Sequence, residues 1–516
     1  MTKSSAFLRG FAKIYEDSVR FPRLFSDVNK GYPMIPIRLY DTARRDKVDF
    51  VPLNPPKVTI YVCGLTVYDL PHIGHARTFV VFDVLRRFLR HAGYDVLLVR
   101  NHTDIDDKII RRATEENTTP HELASRMIDA LHADMASIDV EPADIEPRVT
   151  EHIPDIIQFI QKLFDRGLAY QSGGDVWFRV SAFKDYGKFS NRNLDEMING
   201  VRKALSENKQ AAEDFALWKA ESDPLRPGWD SPWGRGRPGW HIECSCMSTK
   251  YLSPSFDIHG GGRDLIFPHH ENEIAQAKGA QDGDFARHWM HVGMVEINGE
   301  KMSHSLKNFW TVRDIAQKVH PEALRYFFLT THYRNNINFS HDTIQEATQR
   351  ITSLYRTLEA ADRILAAAKS PASPDEVLVA THTAAFLEAM ADDLNSSKAL
   401  AVLAQTAKTA NEIVDARGKK SPEQLRTLAS LRKAMQTMGD ACGLFSRAPQ
   451  TALDQLRDYA VKRLGLDVAN IEALLARRTQ ARAEKNWAES DAIRDQLAEM
   501  GVQILDRPEG TSWQVS

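Results

Sequence analysis

The sequence is poor in cysteine, in long apolar stretches and in net charge. Four cysteines among 516 residues are too few for a secreted disulfide framework and are typical of a reducing cytosol. No apolar run approaches the roughly 18 residues of a membrane span. A formal net charge of −3 does not indicate a nucleic-acid partner, so any surface that binds nucleic acid must be a local basic patch. The chain is too long for a single hydrophobic core, so several domains are expected. The few cysteines and the lack of a long apolar run predict a cytoplasmic protein without a membrane segment.

Residues 1–34 are a separate case. They mix phenylalanine with lysine and arginine but lack the apolar core of a signal peptide. Glu16 and Asp17 also argue against an organelle transit peptide. Two interpretations stay open: the segment is an appended extension, or the start codon lies upstream of the real initiator, Met34.

The first regular pattern predicts a strand, a helix and a second strand. Residues 58–63 are β-branched and apolar, 74–92 carry apolar residues at helical spacing, and 96–99 are apolar again. This order predicts a right-handed parallel βαβ unit. Ligands of such sheets lie at the carboxyl ends of the strands, where Cys63 and the turn after it are expected.

The rest of the chain divides by composition. Residues from about 110 to 230 read as an insertion into a nucleotide-binding domain, and a strand-like run at 292–297 ends at the Asn298-Gly299 turn. Amphipathic helical stretches at 343–366, 381–415 and 422–445 predict a bundle. Beyond them we expect a connector at 449–467, one helix at 470–500 and a short strand at 502–505.

A first motif, Pro71-His72-Ile73-Gly74-His75, begins the predicted helix directly after a buried strand. Helix N-termini offer unpaired N–H groups to phosphate, two histidines one turn apart add donors, and Gly74 permits close backbone approach. The same string could be two surface histidines at a helix start, but its position in the βαβ unit favours a phosphate site.

A second motif, Lys301-Met302-Ser303-His304-Ser305, follows the Asn298-Gly299 turn. A lysine and two hydroxyls can hold a polyphosphate and stabilise charge that develops at a phosphorus atom. Alone, this string is typical of a solvated loop.

A third set of residues suits a metal ion. Cys63, Cys244, His269 and Glu273 provide two thiols, an imidazole and a carboxylate, which are ligands of Zn²⁺. His269 and Glu273 are four residues apart and would share one helix face. Cys246 is an alternative to Cys244, since the two would share a face on a strand but not on a helix. Cys63 and Cys244 could also be no more than buried small hydrophobes.

Together these strings resemble the cysteinyl-tRNA synthetases, a family of class I aminoacyl-tRNA synthetases. The resemblance runs from about residue 38 to the C-terminus. It includes the stretches 61–69, 103–108, 236–244 and 257–264, Lys485-Asn486-Trp487-Ala488 and Gly510-Thr511-Ser512-Trp513. The second motif departs from the family's Lys-Met-Ser-Lys-Ser at His304, and Lys307 stands where the family has glycine.

The resemblance implies an α/β protein with a Rossmann-like parallel-sheet catalytic domain carrying an insertion, then a helical bundle and a small C-terminal anticodon-binding domain. The implied segments are 1–34 extension, 35–140 first catalytic half, 141–235 insertion, 236–308 second half, 309–345 stem-contact region, 346–450 bundle and 451–516 anticodon-binding domain.

The resemblance also implies the site. One Zn²⁺ would be held by Cys63, Cys244, His269 and Glu273 and would bind the substrate sulfur, which removes the need for an editing domain. The expected catalytic residues are His72, His75, Lys301 and His304. The expected ligand-binding residues are Gly64, Thr66, Gly74, Gly261, Asp264, Trp240, His259 and Ser303. The implied partners are L-cysteine, ATP with Mg²⁺ and the cysteine tRNA, bound by a monomer.

Residues that bind the anticodon are harder to predict. Arg477, Arg478, Arg482 and Lys485 with Trp487 combine basic groups with an aromatic ring, which suits unstacked bases. Two rival functions stay open. One is a ligase that joins cysteine to an amino sugar, which would not need the C-terminal half. The other is an inactive relative that only binds tRNA or zinc.

Overall fold

The computed structural model describes residues 35–192, 209–301, 309–507 and 510–515. The elements before the insertion are β1 (Arg38–Asp41), β2 (Asp46–Asp49), β3 (Lys57–Val62), α1 (Ile73–His91), β4 (Asp95–Arg100), α2 (Asp107–Glu115) and α3 (Pro120–Ala136). Next come α4 (Ile153–Asp165), β5 (Ala169–Ser172), β6 (Asp175–Phe178), β7 (Phe215–Ala220) and β8 (Gly236–Pro238). These four strands form an antiparallel sheet in the order 5-6-7-8.

The chain then returns to the first sheet. The elements are α5 (Trp240–Leu252), β9 (Ser255–Gly262), α6 (Glu271–Ala280), β10 (Phe285–Val292), β11 (Val295–Ile297), β12 (Glu300–Lys301), α7 (Val312–Ala316), α8 (Pro321–Thr330) and β13 (Ile337–Phe339). A kinked turn, Ile266–His270, in which the backbone of Phe267 is extended, leads directly into α6. Strands β10, β9, β3 and β4 form a four-stranded parallel sheet in that order.

The parallel sheet has a switch point at β3. The chain goes from β3 through α1 to β4 on one side, and later returns as β9 on the other side. The carboxyl ends of β3 and β9 therefore form the crevice in which such sheets bind ligands.

Strand β3 separates two cores because successive side chains point to opposite faces of a sheet. Val58, Ile60 and Val62 pack into the core that contains α1 and the helical bundle. Tyr61 and Cys63 pack into the core that contains α4, α5 and the inserted sheet. The sequence explains both faces, since these five side chains are aliphatic, aromatic or a thiol and all are buried.

The C-terminal third is helical and ends in a hairpin. Its elements are α9 (His341–Ala366), α10 (Glu376–Ala391), α11 (Ser396–Val414), α12 (Pro422–Cys442), α13 (Pro449–Leu464), α14 (Val468–Ala483), α15 (Trp487–Glu499), β14 (Val502–Arg507) and β15 (Gly510–Val515). Within the described ranges, no helix is long and apolar enough to cross a membrane.

Four boundary predictions are wrong. The expected connector at 449–467 is helix α13, which begins at Pro449, buries Ala452 and Leu456 and ends at a left-handed Gly465. The expected strand at 292–297 is divided between β10 and β11, because the chain turns off the first sheet at Gly293. Two predicted helices are each split in two.

Both helix breaks have a polar cause. The 381–415 stretch divides where Asp393, with a φ of 64°, turns its carboxylate toward Tyr40 N, Tyr333 Oη and Arg334 Nε. The 470–500 stretch divides at Lys485, with a φ of 60°. Asn486 then caps the next helix by accepting a hydrogen bond from Glu489 N.

Candidate metal centre and nucleotide site

The fold brings the four predicted metal ligands together at the switch point of the sheet. Cys63 directly follows β3, Cys244 lies on α5, and His269 and Glu273 lie one turn apart on the helix that follows β9. Their ligand atoms lie within 4.8 Å of one another and all four side chains are buried. Each element therefore delivers one or two donors to the crevice where a parallel sheet binds its ligands.

The distances fit a metal of the zinc type. Cys63 Sγ lies 3.2 Å from Glu273 Oε1, and His269 Nε2 lies 3.0 Å from the same oxygen. Tetrahedral zinc with bonds of about 2.0–2.3 Å separates its ligand atoms by roughly 3.3–3.8 Å. The donor set needs only a small expansion to enclose such an ion.

His269 and Glu273 form a buried pair of opposite charges. Burial opposes charge on Glu273, but His259 and His269 outweigh it and hold its pKa well below the usual range. Burial likewise opposes the His269 imidazolium, yet Glu273 and Cys244 raise its pKa to about 10. Buried groups of opposite charge thus balance one another, and a metal ion would replace the proton on His269.

Cys246 is not part of this cluster. Residues 244 and 246 lie on helix α5 rather than on a strand, so their side chains point to different faces. Cys246 is 4% exposed, and burial raises the pKa of its thiol to about 12. The structure thus brings Cys244, and not Cys246, into the cluster.

A second layer of histidines surrounds the cluster and was not predicted, His259 excepted. His259 Nε2 lies 2.8 Å from Glu273 Oε2, and His270 Nε2 lies 3.3 Å from Cys63 Sγ. His270 continues through His291 to the hydroxyl of Thr42, at 2.8 and 2.7 Å. His259, His270, Cys63 and Glu273 form a second group within metal-ligand distance. For His270, the sequence signal was its position beside His269 in a His-His doublet.

The expectation that helix α1 offers unpaired N–H groups is wrong. His72 Nδ1 accepts hydrogen bonds from Gly74 N and His75 N at 3.1 and 3.3 Å. Ile73 N donates to Trp310 O, and Ala76 N donates to His72 O. All four N–H groups of the first turn thus have partners within the protein.

Each histidine of the first motif uses its Nδ1 as a hydrogen-bond acceptor. Their rings stack with centroids 3.5 Å apart, and His75 Nδ1 accepts a hydrogen bond from His72 N at 3.3 Å. Since each Nδ1 is an acceptor, the proton of each neutral ring belongs on Nε2. Burial and the neighbouring His72 lower the pKa of His75 well below its usual range, which keeps this ring neutral.

Gly64 follows Cys63 and packs against the end of β4. Gly64 N donates to Asn101 Oδ1 at 2.9 Å, and a Cβ on Gly64 would stand 1.5 Å from Asn101 O. Only glycine fits this contact. Asn101 Oδ1 also lies 3.6 Å from Cys244 Sγ, so Asn101 connects Gly64 to one of the predicted metal ligands.

The other predicted ligand-binding residues line the same edge of the sheet. Trp240 is 39% exposed and its ring lies 4.3 Å from that of His269. Thr66 pairs with Thr103 beyond the end of β4. Gly261 is the penultimate residue of β9, and the exposed Asp264 follows in a single 3₁₀ turn. Their roles toward a ligand remain predictions.

The second motif falls largely outside the described residues. Met302 to Asn308 are not described, which includes Ser303, His304 and Lys307, and Lys301 is described only as the end of β12. The described segment after the motif is attached to the first motif: Ile73 N donates to Trp310 O and Val312 N donates to Pro71 O.

The basic candidates of the C-terminal domain are mostly paired within the protein. Arg478 and Arg482 both contact Asp506, at 2.8 and 2.7 Å, and Arg477 contacts Glu489 at 3.0 Å. Trp487 is 59% exposed. The positive charge that this surface offers is therefore smaller than the sequence suggests.

Comparison with known proteins agrees with this geometry. The family model of the class I (C) tRNA synthetase catalytic domain matches residues 49–349. A DALR domain matches residues 385–446, and the cysteinyl-tRNA ligase anticodon binding domain matches residues 468–513. A solved Mycobacterium tuberculosis methionyl-tRNA synthetase bound by methionyl-adenylate shares the fold at 16% identity, with a TM-score of 0.58 over 80% of this chain and 95% of that one.

Full-length relatives are much more similar in sequence. A cysteine–tRNA ligase of Anaeromyxobacter dehalogenans is 48% identical over 489 residues, which cover 93% of this chain and 99% of that protein. One of Maridesulfovibrio salexigens is 48% identical over 485 residues, covering 93% and 100%. The chain therefore belongs to the cysteinyl-tRNA synthetase family, whose members are ligases with the class I catalytic fold.

Proposed function

We propose that the chain activates L-cysteine with Mg·ATP to give cysteinyl-adenylate and pyrophosphate. It then transfers the cysteine to the 3′-terminal adenosine of the cysteine tRNA. The observation that carries this proposal is the buried group of two thiols, an imidazole and a carboxylate at the switch point of the sheet. Trp240, half-exposed beside His269, marks the side from which an amino acid would enter.

We propose Zn²⁺ as the ion of this group, held by Cys63, Cys244, His269 and Glu273. When bound there, Zn²⁺ supplies a Lewis acid that takes a substrate thiolate and discriminates against the harder serine hydroxyl. The protein contributes burial and orientation: His259 fixes one Glu273 oxygen and His241 Nδ1 lies 3.0 Å from His269 Nδ1. Contacts of this kind hold first ligands in place.

The adenylation step asks for position and charge stabilisation more than for proton transfer. The carboxylate of cysteine attacks the α-phosphate and pyrophosphate leaves. Nε2–H groups of His72 and His75 would donate to phosphate oxygens, and Lys301 and His304 would carry positive charge toward the leaving group. Gly64, Thr66, Gly74 and Ser303 would lie along the nucleotide, with Gly261 and Asp264 beside the adenosine.

The partners we propose are L-cysteine, Mg·ATP and the cysteine tRNA, bound by a cytoplasmic monomer. The match of the C-terminal domain to an anticodon-binding family supports the tRNA. Four free and buried cysteines are compatible with a reducing compartment.

The test compares two cysteines on one helix. Cys244→Ser should remove the metal and abolish cysteine-dependent ATP–pyrophosphate exchange, because a serine hydroxyl is a poor zinc ligand. Cys246→Ser is the matched control and should keep about one zinc per chain together with full exchange. Loss of zinc from Cys246→Ser but not from Cys244→Ser would overturn the ligand assignment.

The same assay separates the rival functions when tRNA charging is measured beside it. Exchange together with charging supports the proposal. Exchange without charging, and with cysteine joined to an amino sugar, would support the first rival. Binding of tRNA or zinc without exchange would support the inactive relative.

A further inference from the structure

A second group of metal-ligating side chains lies away from the buried cluster. It consists of His102, two residues beyond β4, His132 on α3 and Glu146 in the loop before α4. His132 Nε2 lies 2.7 Å from Glu146 Oε2, and His102 Nε2 lies 3.5 Å from the same oxygen. No residue is shared with the group around Cys63.

Two of the three residues are held by hydrogen bonds from the surrounding chain. The backbone of His102 is held on both sides, since its N–H donates to Pro147 O and its carbonyl accepts from Val149 N. Glu146 Oε1 accepts from Arg100 Nη2 at 2.6 Å and from Ala143 N at 3.2 Å. That leaves Oε2 as the oxygen that faces both histidines.

Besides the grouping of the three residues, the His102 side chain gives an independent indication that an ion binds here. This side chain is 2% exposed, and within the described part of the chain its Nδ1 has no hydrogen-bond partner, while its Nε2 has only the long 3.5 Å approach to Glu146 Oε2. An unpaired polar group that is buried costs about 1–3 kcal/mol, so buried ring nitrogens normally have a partner in the protein, a water molecule or an ion. His102 Nε2 lies beside two further donors of the kind that divalent metals use.

We propose that His102, His132 and Glu146 bind a second divalent ion of the zinc, cobalt or nickel type. Two imidazoles and one carboxylate select such ions over calcium and magnesium. His132 is 46% exposed, which gives the ion a path from solvent to a site whose inner ligands are already positioned.

The charge of Arg100 sets the strength of this site. Its guanidinium contacts the far oxygen of Glu146, so it orients the carboxylate but also repels a cation. The second ion should therefore bind more weakly than the ion of the buried cluster, which has two thiolates. When bound, it joins α3 to the end of β4.

Cobalt titration of the tag-free, zinc-loaded full-length protein tests the proposal. Cobalt in a nitrogen and oxygen site absorbs in the visible range but lacks the intense near-ultraviolet band of a cobalt–thiolate site. We expect one bound Co²⁺ per chain with the zinc retained, a visible spectrum without the thiolate band, and a higher melting temperature.

Variants then locate the ion. His132→Ala and Glu146→Gln should each weaken cobalt binding by roughly tenfold or more, while His121→Ala, an exposed histidine on the same helix, should bind as the wild type does. Undiminished binding in the first two variants, or no second equivalent in the wild type, would overturn the proposal. A thiolate band with release of zinc would overturn it too, since the cobalt would then occupy the buried cluster.

Discussion

Replacing Arg77 with methionine should loosen the attachment between the helix of the first motif and the segment that leads to the second motif. The Arg77 guanidinium is fully buried and donates to four carbonyl oxygens: those of Gly293 and Met294 at 2.8 and 2.9 Å, and those of His332 and Asn335 at 3.4 and 2.6 Å. Gly293 and Met294 lie between β10 and β11, the strand that leads toward Lys301. One side chain of the first-motif helix therefore fixes the approach to the second motif.

The expected loss of stability follows from these contacts. A hydrogen bond to a charged group contributes about 1.5–3 kcal/mol, but the four bonds are not additive, and water can reach part of the space. Removing the guanidinium leaves these carbonyl oxygens without their donor, and a buried acceptor that is left unsatisfied costs about 1–3 kcal/mol. Burial and the nearby Arg263 lower the pKa of Arg77 to about 10, so the group is still charged at neutral pH.

Activity should fall for a different reason. A shift of about 1 Å in a positioning segment can cost about a hundredfold in rate. We expect Arg77→Met to lower kcat for cysteine-dependent ATP–pyrophosphate exchange by about tenfold to a hundredfold. The zinc content and the KM for cysteine should stay unchanged, because Arg77 contacts none of the four metal ligands. Arg77→Lys should recover part of kcat by restoring a cation.

The control is Arg90→Met in the last turn of the same helix, where the side chain is 41% exposed. It should match the wild type in kcat. If Arg77→Met folds and exchanges pyrophosphate at the wild-type rate, or if zinc content and the KM for cysteine change while kcat does not, the proposed link between the two motifs is wrong.

Three further predictions concern other parts of the chain. Burial, with Arg44 and Arg287, lowers the pKa of His288 to about 4. Because the unfolded chain takes up this proton from about pH 6.5, the free energy of unfolding should fall by up to about 3 kcal/mol as the pH drops from about 6.5 to about 4. Urea unfolding of His288→Asn should show a smaller fall over this pH range, and an equal fall would contradict the prediction. His304→Ala should slow single-turnover adenylate formation by about two orders of magnitude, while Lys307→Gly should leave the rate nearly unchanged. The reverse result would make Lys307 the cation that acts in this step. Near wild-type rates in both variants would mean that Lys301 is the only cation needed. A chain that starts at Met34 should fold and charge tRNA as the full chain does, and poor solubility or charging would give residues 1–34 a role in the enzyme.

Sequence patterns correctly predicted the helices and strands whose structure is determined by residues nearby in the sequence. The strand at 58–63, the helix after it and the strand at 96–99 all lie within two residues of the observed bounds. Their apolar spacing is unambiguous because both faces of the sheet are covered. The position of Cys63 at the carboxyl end of a strand followed from the same pattern.

Predictions failed where a distant residue decides the local structure. The helix break at Asp393 depends on Tyr40 and Tyr333, which are far away in the sequence. Helix α13 resembled a connector because only Ala452 and Leu456 are fully buried, a stripe too narrow for a strong periodic signal. The first turn of α1 was misjudged because its capping group is a histidine, which is not among the usual capping residues.

The metal site shows where a sequence pattern stops being sufficient. Spacing placed His269 and Glu273 on one helix face, since both lie in one continuous segment. Spacing could not choose between Cys244 and Cys246, because the choice depends on whether the segment is a helix or a strand. Nor could it place His259 or His270, which reach the cluster only because β9 lies beside β3. Spacing alone therefore predicts only donors that share an element. Cys63 and Cys244, which lie on separate elements, were assigned through the family resemblance, and His270 and His291 required the tertiary structure.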